Sequence, residues 1–397
     1  MQPTLWISND DELAQGLALL SSGDFVALDT EFMRERTYYA SLCLIQAASE
    51  AGCVVIDPLA LRDLRPLWEF LADTKRLKVL HAARQDLEVL SQAQQGVIPG
   101  PVFDTQIAAA LLGHPAQVGY GGLVAERLGH PLAKGQTRTD WSRRPLSAAQ
   151  LEYAVDDVRY LVPLYLNLRE ALRSADRLTW QEEEAAQLAN PRLYRVEPDD
   201  AWKRLKGLDR LRPEQRATAK LLAQWREERA MHKDRPRGWI LSDDALREIA
   251  ERLPADLPAL EAIRSLSPGF IAKRGTELLE LIVQGKAKAA NEPPAFVPSR
   301  PEPEQTALIA RLMALVRNEG SRLAIAPELL VTRRDAEQLV LSGRTDHLLQ
   351  GWRREIIGER LVALAAGQTP AQPPSVADPA TSSPLPPGQL QPGQSLE

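Results

Sequence analysis

Phe25-Val-Ala-Leu-Asp-Thr-Glu-Phe32 is the stretch whose reading decides the fold. Its apolar run has the length and residue types of a buried strand, yet it carries two carboxylates, Asp29 and Glu31. Side chains alternate faces along a strand, so both acids point the same way. Like charges side by side repel and shift each other's pKa. A hard divalent cation between them, taking carboxylate oxygens, would relieve that repulsion. The plainer alternative is a strand end that fans into solvent.

Outward from this strand, more acids fall where a metal cluster needs them. Leu77-Lys-Val-Leu-His-Ala-Ala-Arg-Gln-Asp-Leu87 predicts a short strand feeding a helix, with Asp86 near the helix start. An acid there suits the helix dipole, and at a βα junction it also suits a crevice at the carboxyl ends of strands. Ser147-Ala-Ala-Gln-Leu-Glu-Tyr-Ala-Val-Asp-Asp-Val-Arg-Tyr160 opens with a capping box, Ser147 with Gln150. On the helix it starts, Tyr153 and Asp157 lie four residues apart and share a face. Asp156 is turned about a quarter-circle away. Asp104 reads as a helix N-cap, and His81 as a structural residue at the end of its strand.

These four acids and one phenol, in this order and setting, are where the chain resembles the DEDD exonuclease superfamily, in its tyrosine-bearing branch, and within it the ribonuclease D family. The carrying stretches are Asp29 to Gln46, His81 to Asp86, Lys134 to Leu146 and Tyr153 to Asp157. The resemblance covers residues 1–190 and extends more faintly through the C-terminal half. It implies that Asp29, Glu31, Asp86 and Asp157 are ligands of two divalent ions, Mg²⁺ or Mn²⁺. Such a pair, about 4 Å apart, forms the clamp used for phosphoryl transfer. It further implies that Tyr153 orients the attacking water. An unperturbed tyrosine titrates near pH ~10, so Tyr153 is read as a positioner and not as a base. The sister branch carries histidine there, and no histidine lies near Asp157 in this chain.

Lys134, Gln136, Thr137, Arg138 and Trp141 form a polar stretch before the last catalytic helix. Cations there can meet phosphates, and Trp141 can stack on a base or tuck against the core. The resemblance favours substrate contact for Lys134 and Gln136.

The chain has 397 residues, enough for two or three domains, and its 44% apolar content supports packed cores. Cys43 and Cys53, in apolar runs, read as small buried hydrophobes in a reducing compartment. No run is long enough to span a membrane, and no signal peptide pattern is seen. The expected location is the cytoplasm and the expected state a monomer. The formal net charge of −5 splits into −9 over residues 1–200, +6 over 201–290 and −2 over 291–397. The basic middle is therefore the expected electrostatic handle for nucleic acid.

Residues 191–200 read as a linker. Beyond Trp202 the pattern is helical, at about 213–231, 243–252, 257–262, 268–273 and 275–285. Leu211-Arg-Pro-Glu-Gln215, Trp225 to Ala230, Asp234 to Arg237 and Ile240 to Leu246 resemble an HRDC domain. Between Lys203 and Arg237 stand 12 basic and 5 acidic side chains. Lys203, Arg204, Lys206, Lys233, Arg235 and Arg237 could face RNA. After a Pro-rich stretch, residues 305–366 resemble a divergent second copy.

The expected architecture is an α/β, ribonuclease H-like mixed-sheet exonuclease domain (1–200), with strands near 25–32, 41–48 and 52–57 as a meander and others near 77–81 and 101–104. Two all-α HRDC-like domains (201–290 and 297–368) and a disordered tail (369–397) follow. The expected activity is 3′–5′ exoribonucleolytic trimming of tRNA precursors and other small structured RNAs, releasing nucleoside 5′-monophosphates. The alternatives are a 3′–5′ exonuclease acting on DNA and a non-catalytic RNA-binding adaptor. A fragment ending near residue 200 is expected to keep activity on short RNA.

Overall fold

A computed structural model describes residues 3–132, 139–289, 301–346 and 348–372. It divides into two compact units. The first is built from residues 1–31, 42–190 and 301 onward, and the second from residues 32–41 and 191–300.

The first unit is organised by a six-stranded sheet. Its strands are β1 (Thr4–Ile7), β2 (Phe25–Met33), β3 (Ser41–Ser49), β4 (Gly52–Ile56), β5 (Leu77–Leu80) and β6 (Val102–Asp104), in the order β1-β4-β3-β2-β5-β6. The hairpin β3–β4 is antiparallel, whereas β1–β4, β2–β5 and β5–β6 are parallel, so the sheet is mixed as expected. The strand β1 is an addition to the sequence reading; four residues at the chain's start are too few to show a period. The middle strands are buried on both faces. Phe25 to Leu28, Cys43 to Ser49 and Gly52 to Ile56 are all inaccessible, which explains their near-continuous apolar runs.

Helices cover this sheet: α1 (Asp10–Leu20), α2 (Arg65–Ala72), α3 (Arg84–Ala93), α4 (Thr105–Leu111), α5 (Tyr120–Leu128), α6 (Ala148–Arg159), α7 (Leu161–Ser174) and α8 (Leu178–Leu188). Their starts are written in side chains. Asn9 accepts from the Glu12 amide at 3.0 Å to open α1, Asp104 accepts from Gln106 to open α4, and the Ser147–Gln150 capping box opens α6.

The second unit is helical. It holds α9 (Pro213–Lys233), α10 (Arg237–Ile240), α11 (Asp243–Arg252), α12 (Leu257–Glu261) and α13 (Pro268–Lys288), around a core of Leu222, Trp225, Leu246, Ile249, Leu278 and Ile282. Two sequence expectations change here. The linker over 191–200 contains short 3₁₀ turns at Pro191–Leu193 and Pro198–Arg204. The two helices expected at 268–273 and 275–285 are one, because Gly275 is a contact site and not a stop. A Cβ there would sit 2.5 Å from Leu257 Cδ2, so the missing side chain lets α12 approach α13.

The C-terminal helices α14 (Pro303–Leu323), α15 (Pro327–Leu330) and α16 (Arg333–Ser342) repeat the geometry of α9, α10 and α11. Each begins 90 positions after its counterpart: 213 and 303, 237 and 327, 243 and 333. Asp234 and Ala324 both end the long helix in the left-handed region, at φ 46° and 47°. Ser242 and Thr332 both cap the helix after the short one.

This C-terminal segment belongs to the first unit and is fastened to it. The Ala326 amide donates to Ala110 O at 3.1 Å, and buried Arg177 donates to Leu111 O and Leu323 O. Trp352 stacks on Trp180 at 4.6 Å and donates through Nε1 to Glu184. Buried Arg353 forks onto Glu184, with Nη2 2.6 Å from Oε2, and also donates to Leu329 O. Cutting the chain near residue 200 would leave Arg177 without Leu323 O and Glu184 without Trp352 and Arg353. Breaking a buried pair from one side costs about 3–5 kcal/mol. Arg353→Ala should lower the first unit's stability by that order in chemical denaturation. A fragment ending at residue 200 should melt well below the full chain.

Candidate active site

The acids meet at the carboxyl side of the parallel strands. Asp29 and Glu31 project from β2, Asp86 from the first turn of α3, and Asp157 from α6. One carboxylate oxygen from each of Asp29, Glu31 and Asp157 lies within 4.8 Å of the others. Asp86 stands beside this trio, with one oxygen accepting from Thr30 Oγ1 at 2.6 Å. Tyr153 lies one turn before Asp157, near enough for its phenol to favour that carboxylate's ionised form, while Asp157 Oδ2 is buried and meets no donor.

Several neighbours fix this geometry. The turn into α3 passes through Ala82 at φ 55°, a left-handed conformation that a residue with a Cβ adopts at a cost. Asp104 holds it, accepting from the Ala82 and Ala83 amides at 3.0 and 2.9 Å. Asp104 is thus the helix cap that the sequence predicted, and a brace for the turn as well. His81 packs between Thr105 Oγ1 and Val118 O, and burial lowers its pKa, so it is a structural residue. Arg144 ties the segment before α6 to the sheet. It clamps Asp57 through Nε and Nη2 and donates to Cys43 O and Trp141 O, each at 2.8 Å.

Buried acids this close resist ionisation. Burial first, then Asp157 and Asp86, push Glu31 up to about 8. Burial raises Asp157 to about 7 against the Tyr153 hydrogen bond, and raises Asp86 to about 6 against the bond from Thr30. Asp29 is raised well above the carboxylate range by burial and by Asp86, Asp157 and Glu31. The Tyr153 phenol is raised by burial and by Asp157, Glu31 and Asp29, so it stays protonated. The donor set fits a hard divalent cation: it is all oxygen, mutually repelling, and includes an unpartnered buried oxygen.

Other expectations divide. Asp156 turns away into an ion pair with Arg159 at 3.1 Å. Trp141 is 2% exposed, with its ring 6.0 Å from that of Tyr153, so it is a core residue without a face for a base; the stacking role is corrected. Lys134, Gln136, Thr137 and Arg138 lie outside the described residues. In the second unit Lys206, Lys233 and Arg235 are exposed, and Lys203 pairs with Asp200 at 2.7 Å. Arg204 and Arg237 are half-exposed and share buried Glu227, which also accepts from Tyr38. Arg216 and Arg226 are buried, so the basic count overstates the surface charge.

Three residues escaped the sequence reading. Thr30 holds Asp86. Tyr120, in the field of Asp157 and Asp29, donates to Asp156 O at 3.0 Å. Trp239, 60% exposed, lies under the Arg235 guanidinium at 5.8 Å. None sits at a spacing that marks it without the fold.

Residues 4–173 match the 3′–5′ exonuclease family model and residues 215–282 the HRDC domain, so the fold and site define a 3′–5′ exonuclease carrying an HRDC module. Ribonuclease D of Nitrobacter hamburgensis is 39% identical over 365 residues, 91% of this chain and 95% of that protein. Ribonuclease D of Acidiphilium cryptum is 40% identical over 377 residues, 92% of this chain and 94% of that one. The crystal structure of Escherichia coli RNase D, described as an exoribonuclease involved in structured RNA processing, superposes with a TM-score of 0.83 at 32% identity. That match covers 93% of this chain and 100% of that one. The chain belongs to the ribonuclease D family and is a 3′–5′ exoribonuclease dependent on a divalent metal. Among the described residues no helix is long and apolar enough to cross a membrane, and neither Cys43 nor Cys53 forms a disulfide.

The raised acids have a consequence for stability. A folded carboxyl with a raised pKa keeps a proton that the unfolded chain releases. Stability is therefore lost as pH rises from the unfolded value near ~4 to the folded values, of which that of Glu31 is about 8. In chelator, the melting temperature should fall across this window. Mg²⁺ should restore it at the alkaline end, and Asp29→Asn should flatten the dependence.

Proposed function

We propose that Asp29, Glu31, Asp86 and Asp157 hold two divalent ions, Mg²⁺ or Mn²⁺, and that the chain trims the 3′ ends of tRNA precursors and other small structured RNAs. The observation that carries this is the convergence of three carboxylates within 4.8 Å, with Asp86 in the same field and Tyr153 one helical turn before Asp157. Bound ions would supply Lewis-acid stabilisation of the scissile phosphate and of the departing 3′ oxygen. The chain's own residues do the positioning. The acids would fix where the ions sit, and Thr30 and the Asp104-braced turn keep Asp86 in place. The protonated Tyr153 offers a hydrogen bond that orients the attacking water in line, releasing a nucleoside 5′-monophosphate. The complete acid set speaks against a non-catalytic adaptor.

The second unit is read as the RNA handle. Lys203, Lys206, Lys233 and Arg235 offer cations, Arg204 and Arg237 are partly spent on Glu227, and Trp239 adds an exposed ring beside Arg235. Lys134 and Gln136 remain proposed substrate contacts. Residues 297–368 are read as a divergent second HRDC-like copy, supported by the constant 90-position offset. The buried cysteines suit a reducing, cytoplasmic setting, and a monomer is the simplest state.

Digestion of 3′-labelled tRNA precursor, with products resolved by length and matched DNA oligonucleotides alongside, tests the reading; equal rates on DNA would displace RNA as the substrate. Asp29→Ala, Glu31→Ala, Asp86→Ala and Asp157→Ala should each nearly abolish hydrolysis while RNA binding stays measurable. Asp156→Ala should be mild. Tyr153→Phe should lower the single-turnover rate by roughly 10²–10⁴-fold with little change in affinity. An unchanged rate would reduce the phenol to a structural role.

Salt dependence tests the handle without truncation. In the Asp29→Ala background, log affinity should fall linearly with log salt, by about 0.7–0.9 per neutralised phosphate. Replacing Lys203, Lys206, Lys233 and Arg235 together by Gln should make that slope visibly shallower. Equal slopes would move the electrostatic contact elsewhere.

A further inference from the structure

The strand that carries Asp29 and Glu31 does not stop at them. It runs on through Phe32 to Met33, and residues 32–41 belong to the second unit. The two ends of β2 are held unequally. Phe25 to Leu28 are buried, and Phe25 to Ala27 pair in register with β5. Glu31, Phe32 and Met33 are only half-buried, and Glu31 is pushed outward by its repulsion from Asp157 and Asp86. An anchor beyond Glu31 would oppose that push.

Residues 34–40, which lead from β2 to β3, supply one. The Tyr38 and Tyr39 amides both donate to Asp234 Oδ1, at 2.9 and 3.0 Å. Asp234 is the residue that ends α9 at φ 46°. Thr37 Oγ1 donates to Tyr39 O at 2.6 Å, which tightens the loop on itself. The Tyr38 phenol donates to Glu227 on α9, and the Arg237 guanidinium lies 5.5 Å from the centre of the same ring. Burial and Glu227 raise the pKa of that phenol, so it stays protonated. Glu227 is 0% exposed and relies on Tyr38, on Arg204 at 3.2 Å and on Arg237 at 3.0 Å. A buried carboxylate that loses a donor is costly, so the loop is bound firmly to α9.

We propose that Tyr38 and Asp234 are positioning residues for the metal site. The loop over residues 34–40 is a strap by which the helical unit holds the outer end of β2, and with it Glu31, in the geometry that binds divalent ions. This rests on the reading of Asp29, Glu31, Asp86 and Asp157 as the ion ligands. The helical unit then serves the acids directly, besides any part it has in gripping RNA.

The test uses the full chain, first without RNA and with Mn²⁺ alone as the probe. Asp234→Gly deletes the acceptor of both amides, and glycine takes a left-handed φ freely, so the helix end is kept. Asp234→Asn keeps an acceptor oxygen and tolerates the same conformation. By calorimetry Asp234→Gly should bind Mn²⁺ roughly tenfold more weakly, the lower end for groups that orient metal ligands, and Asp234→Asn should stay close to wild type. Tyr38→Phe, which loses only the phenolic donor, should shift the affinity in the same direction. In chelator, hydrogen exchange over residues 29–33 should be faster in Asp234→Gly. With an RNA dinucleotide and Mg²⁺, well below the melting temperature, Asp234→Gly should lower kcat more than it raises KM. A lower melting temperature with unchanged Mn²⁺ affinity and kcat would overturn the proposal. So would equal losses in the two Asp234 variants, or a change in KM alone. If Asp234→Gly does not fold, Tyr38→Phe decides on the same readouts. Asp29→Ala, measured alongside, separates the two ideas. Full Mn²⁺ binding and turnover in Asp29→Ala would overturn the ligand reading and the strap with it. Their loss there, with wild-type behaviour in the strap variants, would overturn the strap alone.

Discussion

Repulsion among buried carboxylates is the constraint on which the rest of this structure depends. Four acids cannot be gathered in a poorly hydrated crevice unless something rigid holds them there. Here the sheet does so. The strand β2 lies in the interior of the six-stranded order and is buried along its first half, so Asp29 and Glu31 cannot retreat from each other. Asp86 is pinned by Thr30 and by a left-handed turn that Asp104 braces. Asp157 rides a helix whose start is fixed by a capping box and whose lead-in is clamped to the sheet by Arg144. Each support lies just behind an acid and is itself a satisfied polar contact.

Much of this could be read from residues alone, because period and capping are local. The alternation in Phe25 to Phe32 placed two acids on one face, and the Ser147–Gln150 box set the phase of α6, so Tyr153 and Asp157 had to coincide. What could not be read depends on contacts distant in sequence. Trp141 was equally compatible with a platform and a core, and only its burial decides. Gly275 has the look of a helix stop, but its partner Leu257 shows that it makes room for a neighbour. The basic count between Lys203 and Arg237 held no sign that Arg216 and Arg226 are interior or that Glu227 occupies two more cations.

The two helical repeats show how one geometry can take two surroundings. In α9 to α11 the short helix leaves Trp239 exposed next to Arg235, while the matching short helix of the later copy ends in buried Leu330. The backbone scheme of caps and left-handed ends is kept in both, because it depends on a few turn positions. The faces are free to diverge, and the later copy has spent its own on the first unit.

That fastening alters what kind of appendage the first helical unit is. Since the first unit resumes at residue 301, residues 191–300 are inserted between two parts of one folded body. An insert of this kind is joined to the body by two connections, so a single proteolytic nick in either one leaves it attached through the other.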